Sequence, residues 1–148
     1  MANNLDTFDL RLSRWQATTF TSDRDLVDLQ VTTSQDVATI TGTSNLRQAI
    51  INRLFTRQGE LAALGHPTYG SRLYQLIGEL NNERTRILAE VYIRECLAQE
   101  ARIEVIRHIT CAPPSRGAQR HMLEVTIAVK PVGVEADLVV TLALNLAS

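Results

Sequence analysis

The chain has 148 residues, 45% of them hydrophobic and 21% charged, with a formal net charge of −1; that fits one domain with a sizeable core. No apolar run approaches the ~18 residues that span a membrane. The start, Met1-Ala2-Asn3-Asn4-Leu5-Asp6, lacks the basic and apolar regions of a secretory signal, so the expected folding compartment is a bacterial-type cytoplasm.

Cys96 and Cys111 are too few for a disulfide framework and read as small buried hydrophobes. Charge is distributed unevenly. Residues 1–43 carry six Asp against three Arg, whereas residues 44–130 carry eleven Arg and one Lys against eight Glu. Arginine makes planar multidentate contacts and is enriched at interfaces, where lysine is depleted. A high-GC genome would give the same bias.

In chain order, residues 1–43 are polar, with weak alternation at Phe8, Leu10 and Leu12 and again from Val37 to Thr41. They read as an extended arm with one or two short strands, closed by Gly42. A helix is expected from Ser44 or Asn45, with Asn45 and Gln48 as a capping-box pair. Leu46, Ile50 and Leu54 give it one apolar face, and Gly59 is the expected stop. Gly65 and Pro67 mark a turn. A short helix is expected over residues 71–77, burying Leu73, Leu76 and Ile77. The longest helix is expected over residues 82–99, with Ile87, Leu88, Val91, Tyr92 and Leu97 as its core stripe and Cys96 alongside. Arg86, Glu90 and Arg94 recur on the other side and read as a solvated face held by i, i+4 ion pairs, with a docking surface as the alternative.

From Ile103 the period changes to two. Ile103, Val105, Arg107 and Ile109 alternate with Glu104, Ile106 and His108. A loop follows around Pro113 and Pro114. A second strand is expected over residues 122–129, with Leu123, Val125, Ile127 and Val129 on one face. Pro131 and Gly133 break it before a last strand from about Ala136 to the end. The short connections predict an antiparallel meander. Helices followed by strands define an α+β fold: an N-terminal arm (1–43), about three helices, then a mostly antiparallel sheet within one domain (44–148).

The last strand is unusual. Leu138, Val140, Leu142, Leu144 and Leu146 share one face, and no charge, Pro or Gly follows Asp137. Edge strands normally carry such protection against stray pairing. An unprotected strand is therefore either central in its sheet or meant to pair with a partner chain. Its apolar character, continued to Leu146, points to the partner.

No catalytic set emerges. Sugar hydrolysis would need two carboxylates across a cleft; Glu60, Glu79 and Glu83 are available, but no spacing singles them out, and sugar-stacking aromatics are scarce. Cys96, His108, Cys111 and His121 lack the paired short spacings of a zinc module. His66 and Ser71 lack a third orienting group. The basic excess in the middle is modest, interleaved with Glu, and matches no nucleic-acid module or Walker-type loop. The expected reading is no enzyme, no metal, no cofactor and no nucleic acid.

Several motifs nevertheless coincide. Asn45-Leu46-Arg47-Gln48-Ala49-Ile50 with Arg53-Leu54, Gly59-Glu60-Leu61, and Gly65-His66-Pro67-Thr68-Tyr69-Gly70-Ser71-Arg72-Leu73 resemble the GPW / gene product 25-like family. These are baseplate wedge and sheath-initiator proteins of contractile phage tails and injection machines, some labelled "lysozyme-like". The resemblance covers roughly residues 28–146. The family's Glu-Pro-Arg motif is matched by Glu100-Ala101-Arg102, without the proline.

The resemblance implies a structural role: joining the baseplate wedge to the sheath and templating the first sheath ring by strand addition. It implies a wedge contact through Glu100 and Arg102, and pairing of a sheath strand along Leu138, Val139, Val140, Thr141, Leu142, Ala143 and Leu144. The implied partners are the sheath protein, the wedge proteins and central hub or inner-tube proteins, with several copies around the baseplate. The implied location is the cytoplasm during assembly and then the baseplate of a tail or tail-like particle. The alternative is a peptidoglycan-cleaving, lysozyme-like enzyme.

Overall fold

The computed structural model describes residues 41–114 and 120–147 in full. In the preceding forty residues it places the backbone of short strands only: β1 (Phe8–Leu10), β2 (Leu12–Arg14), β3 (Thr19–Phe20), β4 (Val27–Leu29) and β5 (Thr39–Thr41). Two α-helices follow, α1 (Gly42–Phe55) and α2 (Glu83–Leu97), then β6 (Ile103–Ala112), β7 (Met122–Pro131) and β8 (Leu138–Asn145). Strand β1 pairs with β5 and β2 with β4, both antiparallel. The main sheet has the order β3-β8-β7-β6; its last three strands form the expected antiparallel meander.

Helix α1 begins three residues before Asn45, with Thr41 as an extended N-cap and Gly42 at φ 63°. Asn45 is therefore inside the helix and buried, and is not its cap. Leu46, Ile50 and Leu54 are fully buried, as their i, i+4, i+8 spacing requires. The helix ends at Phe55, well before Gly59. Thr56 turns extended there and closes the last turn, its N–H and Oγ1 both donating to the Asn52 carbonyl at 3.0 and 2.8 Å.

Residues 56–72 form a compact loop with close ends. Ser71 N–H donates to the Thr56 carbonyl and Gln58 N–H to the Ser71 carbonyl, each at 2.9 Å. Gly70 makes this closure possible. It lies at φ 102°, and a Cβ there would stand 2.6 Å from the Thr56 carbonyl oxygen, so no other residue fits without moving backbone.

The expected third helix is a single 3-10 turn, Leu73–Leu76, with a second such turn at Ala62–Leu64. Leu73 and Leu76 are buried as expected. The stretch between Gly70 and Gly78 is too short to propagate an α-helix, whose first turn is the costly one.

Helix α2 is correctly placed but rotated relative to the sequence reading. Asn82 caps it, its Oδ1 accepting from Thr85 N–H at 2.9 Å. The buried face is Thr85, Ala89, Ile93, Cys96 and Leu97. Leu88 and Tyr92 pack at its margin, while Ile87 and Val91 are 54% and 42% exposed. Among the described residues no ion-pair ladder runs along Arg86, Glu90 and Arg94. Arg86 Nε donates to Asn81 Oδ1 at 3.2 Å, and Glu90 accepts from Cys111 N–H at 3.3 Å.

Strand β6 does not keep period two. Irregularities between Ile103 and Val105, and between Ile106 and His108, reset its register. Ile103, Ile106 and Ile109 turn inward while Val105 is exposed. Such bulges add a residue to one strand and flip every later side chain. Strand β7 follows expectation: Leu123, Val125, Ile127 and Val129 are fully buried. So does β8, whose Leu138, Val140, Leu142 and Leu144 are buried. These side chains, with those of α1 and α2, make one core; each fully buried Leu, Ile or Val contributes roughly 1.5–3 kcal/mol relative to exposure.

Candidate functional site

Asn45, Arg53, Tyr69, Glu100 and Arg102 lie far apart in sequence and converge on one largely buried polar cluster. Arg102 Nε donates to Glu100 Oε1 at 2.8 Å and its Nη2 to Glu100 Oε2 at 3.2 Å. The Arg102 N–H also donates to Oε1 at 3.3 Å, and its Nη1 reaches Asn45 Oδ1 at 3.4 Å. Arg53 Nη2 stands 3.6 Å from Glu100 Oε2. The Arg53 guanidinium sits over the Tyr69 ring, 4.4 Å from its centroid, and among the described residues its buried Nε has no hydrogen-bond partner. Thus α1, the 56–72 loop and the turn after α2 are fastened at one point.

The electrostatics follow from that arrangement. Glu100 is only 9% exposed. Burial pushes its carboxyl pKa up, but the hydrogen bonds and charge of Arg102, with the charge of Arg53, outweigh it and leave the pKa lowered. Burial raises the Tyr69 phenol pKa, against the opposing charge of Arg53. Two-point Arg–carboxylate pairing is the strong form of such a bond. The cluster's chemistry is that of a fastener: among the described residues, Glu100 and Arg102 bind each other, and Arg102 reaches α1 at Asn45. The turn carries Ala101 between the two paired residues. Ala101 is exposed; the turn's backbone-to-backbone hydrogen bonds include those from Glu100 N–H to the Leu97 carbonyl and from Ile103 N–H to the Glu100 carbonyl.

The other candidate surface is the outer edge of β8. On its inner side β8 pairs with β7 along its whole length. On its outer side, among the described residues, β3 pairs with it in parallel at Ala143 and Leu144. Among the described residues no strand pairs with Leu138–Leu142 on that side. The predicted pairing segment is thereby shortened at its end. Val139 and Thr141 point away from the core, Val139 being 48% exposed. The apolar continuation to Leu146 has an internal cause. Leu146 is buried, its N–H donates to the His121 carbonyl, and its carbonyl accepts from Gly78 N–H, both at 2.7 Å.

The catalytic candidates are not brought together. Glu79 lines a hollow of about 180 Å³ with Gln75, Leu88 and Tyr92, but Glu83 does not line it. Glu60 is exposed and caps its own loop, accepting from Arg57 N–H at 3.1 Å. Ser71 is buried and its hydroxyl donates to the Leu54 carbonyl at 2.6 Å, whereas His66 stands exposed on the loop. Among the described residues no three His, Cys, Asp or Glu side chains gather at metal-binding range. No described helix is long and apolar enough to cross a membrane.

Cys96 and Cys111 are buried, as expected, and burial pushes both thiols up to about 12. Neither supplies thiolate at neutral pH. A thiol-specific chromogenic disulfide should therefore leave both unmodified in the native protein at pH 8 and titrate two thiols only after denaturant is added; fast native modification of either would contradict the burial.

The fold is thus an α+β meander carrying two helices and a clasped loop. It is similar to the crystal structure of a protein named "putative tail lysozyme" from Geobacter sulfurreducens. The TM-score is 0.61 at 22% identity, over 72% of this chain and 92% of that one. At that identity the likeness establishes a shared fold. No family model matches the chain, and no curated protein does.

Proposed function

We propose that the chain is a structural component of a phage-tail-like contractile machine, joining the baseplate wedge to the sheath and templating the first sheath ring. The observation that carries this reading is the apolar outer edge of β8 at Leu138–Leu142, next to the two positions that β3 covers. Such an edge accepts an added strand through main-chain hydrogen bonds, and alternate side chains set its register. The tail association in the neighbour's name supports the same setting. On this reading a sheath strand pairs with Leu138–Leu142 of β8, on the side where β3 pairs with Ala143 and Leu144. The Glu100–Arg102 pair, buttressed by Arg53, holds the wedge-facing turn in shape and so acts as a positioning element for the wedge contact. Hub or inner-tube proteins complete the set of partners, with several copies around the baseplate. Assembly takes place in the cytoplasm, residues 1–43 serve as an arm, and residues 44–148 form the baseplate domain.

Deleting the gene from the producing strain and imaging the particles tests this reading. Baseplates and tubes without extended sheath are expected, restored by the full chain. Full-length sheaths in the deletion would overturn it. The competing reading is peptidoglycan hydrolysis, which the word "lysozyme" in the neighbour's name suggests and for which Glu79, in its hollow, is the carboxylate to test. A zymogram separates the two: a clearing band lost on Glu79→Gln supports the enzyme, and no band supports the structural role.

A further inference from the structure

Helix α2 carries a second apolar stripe that the fold does not use. Arg84, Ile87, Val91, Arg94 and Ala98 follow one another at spacings of three, four, three and four, and all are exposed. They lie opposite the buried face of Thr85, Ala89, Ile93 and Cys96. The 3-4 spacing is that of a helix seam that packs against another helix. Ile and Val are weaker helix formers than Ala, Lys or Glu, so their use at exposed positions of a solvated helix needs a reason.

The charges around the stripe identify its partner. Among the described residues neither the Arg84 nor the Arg94 guanidinium has a side-chain or carbonyl partner, whereas the nearby carboxylates are engaged. Glu90 accepts from Cys111 N–H, and Glu95 pairs with Arg72, which stacks on Tyr92. Glu83 sits at the helix start and leaves the arginines unneutralised. The stripe therefore reads, along the helix, as arginine, isoleucine, valine, arginine. It is symmetric about Ala89. In a parallel pair of copies Arg84 would face Arg84, and in an antiparallel pair Arg84 would face Arg94. Either arrangement sets like charges together, so the face disfavours self-association.

We propose that this face of α2 docks a helix of another protein, one whose apolar seam meets Ile87 and Val91 and whose flanking carboxylates pair with Arg84 and Arg94. The partner is an acidic amphipathic helix. The proposal stands apart from the sheath-templating role, which uses β8.

Two synthetic helical peptides of about three heptads provide the test. They share one leucine seam and differ only in having all-Glu or all-Lys flanks. Their binding to the full chain is measured by fluorescence anisotropy. The acidic peptide is expected to bind at least about tenfold more tightly than the basic one at low salt, with the gap shrinking at about 0.5 M salt as the charges are screened. Ile87→Ala with Val91→Ala should lose that binding while the circular-dichroism melt stays unchanged, because both sites are exposed and alanine favours the helix. Arg84→Glu with Arg94→Glu should reverse the preference to the basic peptide. Equal affinity for the two peptides, or binding of neither, overturns the proposal. So does a wild-type dimer in sedimentation that the double alanine variant abolishes.

Discussion

Replacing Glu100 by alanine is expected to destabilise the fold by about 3 kcal/mol, because it leaves two largely buried arginines without their carboxylate. Arg53 and Arg102 are 14% and 18% exposed, and both are held against Glu100. Arg102→Ala should cost less, since Arg53 remains 3.6 Å from the carboxylate. Urea unfolding monitored by circular dichroism measures both. The same site sets a pH dependence. The folded pKa of Glu100 is lowered, so its contribution is present above the unfolded carboxyl value of about 4.3. It is lost as pH falls through the lower folded value. Glu100→Gln keeps the shape without the charge, and other carboxylates titrate alike in both proteins. The stability gap between wild type and Glu100→Gln should therefore be largest near neutrality and close on acidification. A gap constant down to pH 3 would mean that the ion pair contributes nothing.

The second large effect concerns the β8 edge. Lysine at Val139 and Thr141 together should leave the fold intact, because both side chains point away from the core. It should nevertheless blunt the edge, as inward and edge charges do in natural sheets. Particles from a strain carrying this double substitution are expected to show baseplates with no sheath or short sheath, by negative-stain electron microscopy. Matching thermal melts for the purified variant and wild type would exclude unfolding as the cause. Normal sheaths on particles containing the folded variant would remove β8 as the templating strand. Paired changes at Ala143 and Leu144 are a weaker probe, because β3 already covers those positions and Leu144 is buried.

The elements that were legible in advance are those in which one pattern dominates. Leu46, Ile50 and Leu54 have a single helical face to offer. The alternating Leu and Val of β7 and β8 have a single pleated face each. Where two patterns compete, the sequence misleads. Helix α2 carries apolar residues on opposite sides, and the larger Ile87 and Val91 looked like the core. The sheet instead takes the side with Thr85 and Ala89, whose small side chains allow close approach. In β6 the bulges shift the phase at positions no local signal marks. Asn45 looked like a cap because it precedes an apolar period; it is buried to receive Arg102 from a turn fifty-seven residues away.

What the sequence determined by itself is the class and order of the main elements and the core faces of α1, β7 and β8. Local periodicity and turn chemistry are enough for these, because each depends on neighbours within a few residues. The tertiary structure alone decided how those elements are used. It joined Asn45, Arg53, Tyr69, Glu100 and Arg102 in one ion-paired fastener. It turned Ile87 and Val91 outward, and it paired β3 with β8 at Ala143 and Leu144. Those outcomes depend on contacts between segments distant in sequence, where desolvation and packing choose among faces that local pattern leaves equivalent.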